Sequence, residues 1–286
     1  MTADRQDHAV PTGLRDRIMA ASRDARPAGV AVPEIAPDSP TEAFARAADA
    51  FYQMLTSLGD EDWRRPVLRD LDVQGLVGHL IGVERDVQRC LSGDHEVGSA
   101  NHVDSTQPAA RSQAGRAPGL TVADWREAVD RTLALAGRSD LDSMVAIHGV
   151  ALRVRDLLIA RTFELWTHEN DIRAVAGLRA SVPEPSTLRP MTELATALLP
   201  FGAACTDLHE PISVHLVLTG PSGGTWDVAV GEPSQDPSQL GIVADVVGFC
   251  RLFANRISPH DLDVLVTGDP RQATSVLAAA AALALD

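Results

Sequence analysis

Apolar positions along this chain follow two rhythms, and the change from one to the other falls near Pro211. Before that point the spacing is helical. Ser39-Pro40-Thr41-Glu42 carries a helix start: a serine N-cap, a proline at the first helical position, and a glutamate that completes a capping box. Phe44, Ala47, Ala48, Phe51, Leu55 and Leu58 then form an apolar stripe that ends at Gly59. Asp62-Trp63-Arg64-Arg65-Pro66 reads as a turn anchored by Trp63. A second helix runs from an Asp72 cap to Gly93 and carries Gly75, Gly78 and Gly82 around His79. A glycine inside a helix costs about 1 kcal/mol relative to alanine. Glycines clustered on one histidine therefore imply close approach by another helix or by a ligand.

A third helix is predicted from a Thr121–Asp124 cap through Trp125, Ala128, Val129, Leu133 and Leu135 to Gly137. A fourth covers residues 153–176 and stops at Gly177, and a fifth covers residues 186–205, with Pro190 in its first turns. Beyond Pro211 the period becomes two. Ile212–Thr219 and residues 225–230 alternate around a Gly220-Pro-Ser-Gly-Gly224 turn, which makes a hairpin. Residues 244–257 read as a helix, residues 262–267 as a strand, and Gly268-Asp269-Pro270 opens a final alanine-rich helix.

The predicted class is α+β: an all-helical domain over residues 39–208 followed by a smaller α+β domain over 209–286. Residues 1–38, broken by Pro11, Pro27, Pro33 and Pro37, read as a mobile or surface extension with one short helix at 14–25. Residues 93–120, polar and rich in Gly, Ser and Pro, read as a long loop or lid.

Composition narrows the partners. A net charge of -14 and a pI near 5.0 argue against nucleic acid, which requires clustered Lys and Arg. Cys90, Cys205 and Cys250 lie far apart without a CxxC motif, which suits a reduced compartment. There is no apolar run of about 18 residues and no signal-peptide pattern. The expectation is a soluble, cytoplasmic protein with no membrane partner.

The chemistry concentrates on the fourth helix. Glu164 and His168 stand one turn apart on one face, with Arg161 a turn before and Asp171 nearly a turn after. Leu157, Leu158, Phe163, Leu165 and Trp166 are apolar enough to bury most of this helix. A carboxylate buried there needs a partner. A metal or Arg161 alone would serve. With His79 from the second helix, Glu164 and His168 form a candidate His/Glu/His site of the kind that catalytic zinc uses, three protein ligands and an open position. The ligand types suit zinc better than magnesium. Asp171 reads either as an acceptor that orients an imidazole or as an exposed helix charge paired with Arg173 or another cation.

These parts resemble the mycothiol-dependent maleylpyruvate isomerase family, within the wider DinB-like superfamily. The resemblance rests on Trp63 and Pro66, on Leu76-Val77-Gly78-His79-Leu80, on the run from Arg161 through Glu164, His168 and Asp171, and on Val264-Leu-Val-Thr-Gly268-Asp269. It covers roughly residues 40–285. It implies a DinB-like up-down four-helix bundle in which His79, Glu164 and His168 bind Zn2+ or another divalent metal. It also implies mycothiol as thiol cosubstrate, and isomerisation of, or transfer to, a small-molecule electrophile. An arginine in the C-terminal domain would assist; Arg256 is the best match as a catalytic residue, Arg251 competes, and either also reads as a plain surface cation. Arg69-Asp-Leu-Asp-Val-Gln departs from the Pro-Gly-Trp-like turn usual before the family's metal histidine. The alternative is a non-catalytic metal-binding DinB-like protein acting as a binding or sensory module.

The other histidines read as bystanders. His95 and His102 are expected to be solvated, His148 and His215 to be structural, and His8, His209 and His260 to lie on the surface. Cys90 reads as a small buried apolar residue.

Overall fold

A computed structural model describes residues 35–206 and 208–283. The short helix at 14–25, His8 and most of the N-terminal extension lie outside the described residues, as does the side chain of His95.

Helix α1 (Pro40–Ser57) begins as its sequence dictates. The Ser39 side chain accepts from the Glu42 N–H, and the Ser39 N–H donates to Glu42 Oε2 at 2.9 Å. A 3-10 turn that buries Trp63 and a short hairpin, β1 (Pro66–Leu68) and β2 (Leu71–Asp72), lead into α2 (Val73–Leu91). Asp72 caps α2 through the Gly75 N–H at 2.7 Å.

The stretch expected to be a long loop is a 3-10 turn (His95–Ser99) and a helix, α3 (His102–Gln113), capped by Asn101. Its buried face is Thr106, Ala109, Ala110 and Gln113, small or polar residues that leave no apolar period to read. Helix α4 (Pro118–Ala136) starts ahead of the expected cap, with Pro118 in its first turn. Thr121 is buried and donates to Gln113 Oε1 at 2.9 Å instead of capping. An unexpected hairpin, β3 (Met144–Ile147) and β4 (Val150–Arg153), precedes α5 (Val154–Val175), which ends at Gly177 with φ of 71°.

Helices α1, α2, α4 and α5 share one core that includes Phe51, Leu80, Trp125, Leu158 and Leu165. The Phe51 and Trp125 rings meet at 4.9 Å. Helix α6 (Pro185–Cys205) turns its Leu188, Met191, Ala195 and Leu199 into a second core, shared with the sheet. That sheet has the order β6-β5-β7-β8, where β5 is Ile212–Thr219, β6 Gly224–Val230, β7 Ser238–Asp245 and β8 Val264–Thr267. β5 and β7 run parallel; the other pairs are antiparallel.

Helices α7 (Val246–Phe253) and α8 (Pro270–Ala281) pack on the sheet. The helix expected over 244–257 is shorter because its first residues belong to β7. Leu240, Ile242 and Ala244 face inward there at strand period, and Asp245 caps the helix that follows. The architecture is thus α+β, a DinB-like helical bundle with a small sheet-containing C-terminal part.

Helix α5 belongs to both cores. Leu158, Leu165 and Ile172 face the bundle, while Ile159, Phe163 and Trp166 face the sheet side, where Phe163 meets the Phe253 ring at 5.0 Å. A helix buried on both sides has little room for polar groups unless they serve each other or a ligand. Arg161, Glu164 and His168 occupy this position.

Candidate metal centre

His79 owes its surroundings to the glycines beside it. A Cβ on Gly78 would stand 2.8 Å from Ala110 Cα, and one on Gly82 would stand 2.9 Å from Thr106 Cα. Both distances are too short for real side chains, so only glycine lets α3 lie this close to α2. The close approach is to a helix, one of the alternatives that the sequence left open. It places Thr106 Oγ1 2.8 Å from His79 Nδ1.

The hydroxyl hydrogen of Thr106 is already donated to the His102 carbonyl at 2.9 Å. Thr106 therefore accepts Nδ1–H from His79, and the imidazole keeps its lone pair on Nε2. His168 arrives at the same state by another route. Its Nδ1 donates to Asp171 Oδ2 at 3.0 Å, which again leaves the lone pair on Nε2. Asp171 is held below the usual carboxylate range. Burial pushes the other way, but hydrogen bonds from His168 and Arg256, with their charge, outweigh it.

Glu164 completes the set. One ligand atom from each of His79, Glu164 and His168 lies within 4.8 Å of the others. Glu164 Oε1 is buried, has no hydrogen-bond partner among the described residues, and stands 3.6 Å from His79 Nε2. Its other oxygen takes Arg161 Nη1, and Arg161 reaches on to Glu84 Oε1 at 2.7 Å. Arg161 thus pairs with Glu164, yet one carboxylate oxygen remains for something else. Two imidazole lone pairs and a carboxylate oxygen converging in a buried space repel one another unless a cation lies among them. The donor set, two nitrogens and one oxygen, suits zinc.

Arg256 reaches Asp171 with two nitrogens, whereas Arg251 only lines the neighbouring cleft of about 190 Å³. Asp171 is therefore not an exposed charge paired with Arg173, which bonds Glu169 instead.

One expectation fails. His102 is not solvated: its side chain is 13% exposed and lies 4.0 Å from Glu164 Oε1. His148 is structural, at the turn between β3 and β4 with Nε2 3.0 Å from Asp86 Oδ2, and with His102 it also lines a cavity of about 140 Å³ beside the triad. Asp86, Thr106 and Glu84 were not singled out at all. The Asn101 cap and the His148-Gly149 turn pair were the legible signals for this side of the site. His215 pairs with Asp227 on an exposed sheet face, and His209 and His260 are exposed, as expected.

Fold and site together define a class: a DinB-like helical bundle carrying a buried His/Glu/His cluster, joined to an α+β part. The sequence pattern described as "Mycothiol maleylpyruvate isomerase N-terminal domain" matches residues 44–173, which hold the whole triad. Over these residues the chain is similar to that domain.

Solved structures carry the likeness of fold beyond that domain. A crystal structure of the mycothiol-dependent maleylpyruvate isomerase superposes with a TM-score of 0.56 at 15% identity, covering 80% of this chain and 92% of that one. A histidine-to-alanine mutant of that isomerase gives the same TM-score and coverage at 14% identity. No curated protein sequence matches the chain. Among the described residues no helix is long and apolar enough to cross a membrane.

Proposed function

We propose that this protein is an enzyme that uses a divalent metal, zinc by its donor set, to activate a small thiol of the mycothiol kind. The thiol would serve isomerisation of, or transfer to, a small electrophile. The observation that carries the reading is the convergence of His79, Glu164 and His168, with a buried Glu164 oxygen that nothing described satisfies. The likeness of residues 44–173 to a mycothiol maleylpyruvate isomerase domain supports a thiol of this kind.

A zinc ion bound here would favour the thiolate of a coordinated thiol at neutral pH. The protein's own groups prepare the place. Thr106 and Asp171 fix the two imidazoles in the form that presents Nε2. Arg161, anchored on Glu84, holds Glu164 by one oxygen. Arg256 fixes Asp171, and so acts through it on His168. The apolar walls of the adjoining cavity, among them Val87, Leu157 and Phe253, keep water from the reacting groups.

The test is metal analysis of protein purified without chelator, combined with turnover of maleylpyruvate-like, epoxide and halide electrophiles with and without mycothiol. About one zinc per chain and strictly thiol-dependent turnover are expected. His168→Ala should release the metal. A stoichiometric metal without any thiol effect would favour the non-catalytic binding module, and absence of metal would end both readings.

A further inference from the structure

Buried threonines in these helices return their hydroxyl proton to the turn before them. Thr162 on α5 donates to the Leu158 carbonyl at 2.9 Å, and Thr192 on α6 donates to the Leu188 carbonyl at 2.9 Å. The reason is general: a buried hydroxyl without a partner costs free energy, and the preceding carbonyls are the nearest acceptors. Thr167 on α5 departs from this pattern. It is 6% exposed, yet its hydroxyl makes no hydrogen bond among the described residues.

Its position suits a group kept for something else. Thr167 lines the cavity beside the triad and also the cleft of about 190 Å³ that holds Arg251. Ala254 lines both as well, so the two spaces meet at this pair. The cavity side is apolar, with Val83, Val87, Leu152, Leu194 and Phe253 among its walls. The cleft side is polar, with Asn170, Asp171, Arg251 and Arg256 around it.

The side-chain acceptors of the cleft are engaged. Asp171 Oδ1 takes Arg256 Nε, and its Oδ2 takes His168 Nδ1 and Arg256 Nη2. Asn170 Oδ1 accepts the Ser181 N–H at 2.8 Å, and its Nδ2 donates to the Trp166 carbonyl at 2.9 Å. Two donors remain. Thr167 offers an O–H, and Arg251, exposed and in no ion pair among the described residues, offers a guanidinium. Arg251 and Arg256 also outnumber Asp171 in the lining, which makes the cleft positive within a chain of net charge -14. Donors and positive charge together select an anion with oxygen acceptors, a carboxylate above all.

We propose that cleft and cavity are one binding site, for a carboxylate with an apolar body. The carboxylate lies in the cleft against Arg251 and Thr167. The body passes Thr167 and Ala254 into the cavity beside the triad. Under the thiol-enzyme reading, on which this last assignment rests, the ligand is the electrophile and Thr167 helps to set its specificity.

The experiment is calorimetric titration of the full chain, as purified, with 4-phenylbutyrate and 4-phenylbutan-1-ol. The two share an apolar body, and only the first carries the charge. The acid should saturate the site, and the alcohol should bind about tenfold more weakly, the worth of a hydrogen bond to a charged group. Arg251→Gln should bring the acid down to the affinity of the alcohol. Ala160→Leu, which narrows the cavity side, should weaken both ligands by about fivefold or more. Equal binding of acid and alcohol would overturn the proposal. So would acid binding that survives Arg251→Gln and is lost with chelator, since the carboxylate would then sit on the metal centre.

Thr167→Val adds a readout that needs no ligand. A hydroxyl without a bond in the fold stabilises nothing, so the melting temperature should hold or rise. The same variant should weaken the acid by about tenfold. A clear fall in melting temperature would show a hydroxyl already engaged within the fold, and this or an unchanged affinity for the acid would overturn the role of Thr167. No thiol enters these measurements, so their failure leaves the thiol reading standing, and failure of thiol-dependent turnover leaves them interpretable.

Discussion

Arg256 grips Asp171 with two nitrogens, Nε on Oδ1 at 2.8 Å and Nη2 on Oδ2 at 2.9 Å, and Asp171 accepts Nδ1–H from His168 at 3.0 Å. The C-terminal α+β part is thereby wired to one corner of the triad. A forked guanidinium on a carboxylate fixes direction as well as charge. The orientation of the His168 ring thus depends on a residue 88 positions later in the chain.

Lysine keeps the charge at this position but cannot form the fork. Arg256→Lys should therefore retain the fold and weaken zinc by about 10–100-fold, the usual cost of losing a group that orients a ligating histidine. Competition with a chromophoric chelator measures this directly. Unchanged affinity would show that Arg256 supports the site in some other way.

The backbone that delivers Arg256 makes its own prediction. After α7, the Asn255 N–H bonds the Leu252 carbonyl and the Arg256 N–H bonds the Arg251 carbonyl, with Asn255 at φ of 52°. This is a Schellman ending, and asparagine tolerates the left-handed position that it needs. Asn255→Gly should leave stability nearly unchanged. Asn255→Val should cost about 1–2 kcal/mol, read from urea denaturation midpoints.

Glu164 and His168 were legible as a pair because helical spacing sets residues four apart on one face, and the resemblance to a known family joined His79 to them; α5 itself, buried on both sides, shows no single apolar stripe. The other side of the site was hidden for a physical reason. Helix α3 packs on Gly78 and Gly82 through Thr106, Ala109 and Ala110, and contact between small residues leaves no hydrophobic signature. His102, at the start of that helix, therefore looked solvated. The place of His148 in the cavity wall was missed because β3 and β4 are four residues each, and their burial only weakly alternates. Strand β7 was missed: residues 238–243 were not read as a strand, and Ala244 and Asp245 were drawn into the following helix because no turn signal precedes Val246. No local pattern announces Asp86 or Glu84, since each matters only for a partner far along the chain.

Asp86 gives a pH signature. Burial raises its pKa, but hydrogen bonds from His148 and Ser105, with charge from His148 and Arg89, outweigh burial and hold it below the ordinary value. A depressed folded pKa contributes stability that is fully present above the unfolded value, about 3.9, and is lost as pH falls through the folded one. The stability gap between the unaltered protein and Asp86→Asn should accordingly be constant near neutrality and shrink below about pH 4. Urea titrations across that range would show it. A gap that stays flat into acid would remove Asp86 from this role.

The Glu84–Arg161 pair separates stability from function. Glu84 is fully buried and Arg161 is 2% exposed, with Nε and Nη2 on Glu84 Oε1 at 3.2 and 2.7 Å. Removing Glu84 takes from Arg161 its buried partner and leaves it Glu164 alone, so Glu84→Leu should destabilise by less than the roughly 3–5 kcal/mol of a fully unpaired buried charge. Replacing both, Glu84→Leu with Arg161→Met, removes the buried pair and leaves only the part-exposed Glu164 without its cation, so it should restore part of the stability, because apolar side chains of similar size can replace a buried ion pair. The double variant still lacks the guanidinium that holds one oxygen of Glu164, so its zinc affinity should stay low while its melting temperature partly recovers. Recovery of both would mean that Glu164 needs no support from Arg161. Recovery of neither would mean that the pair specifies the packing of α2 against α5, beyond balancing charge.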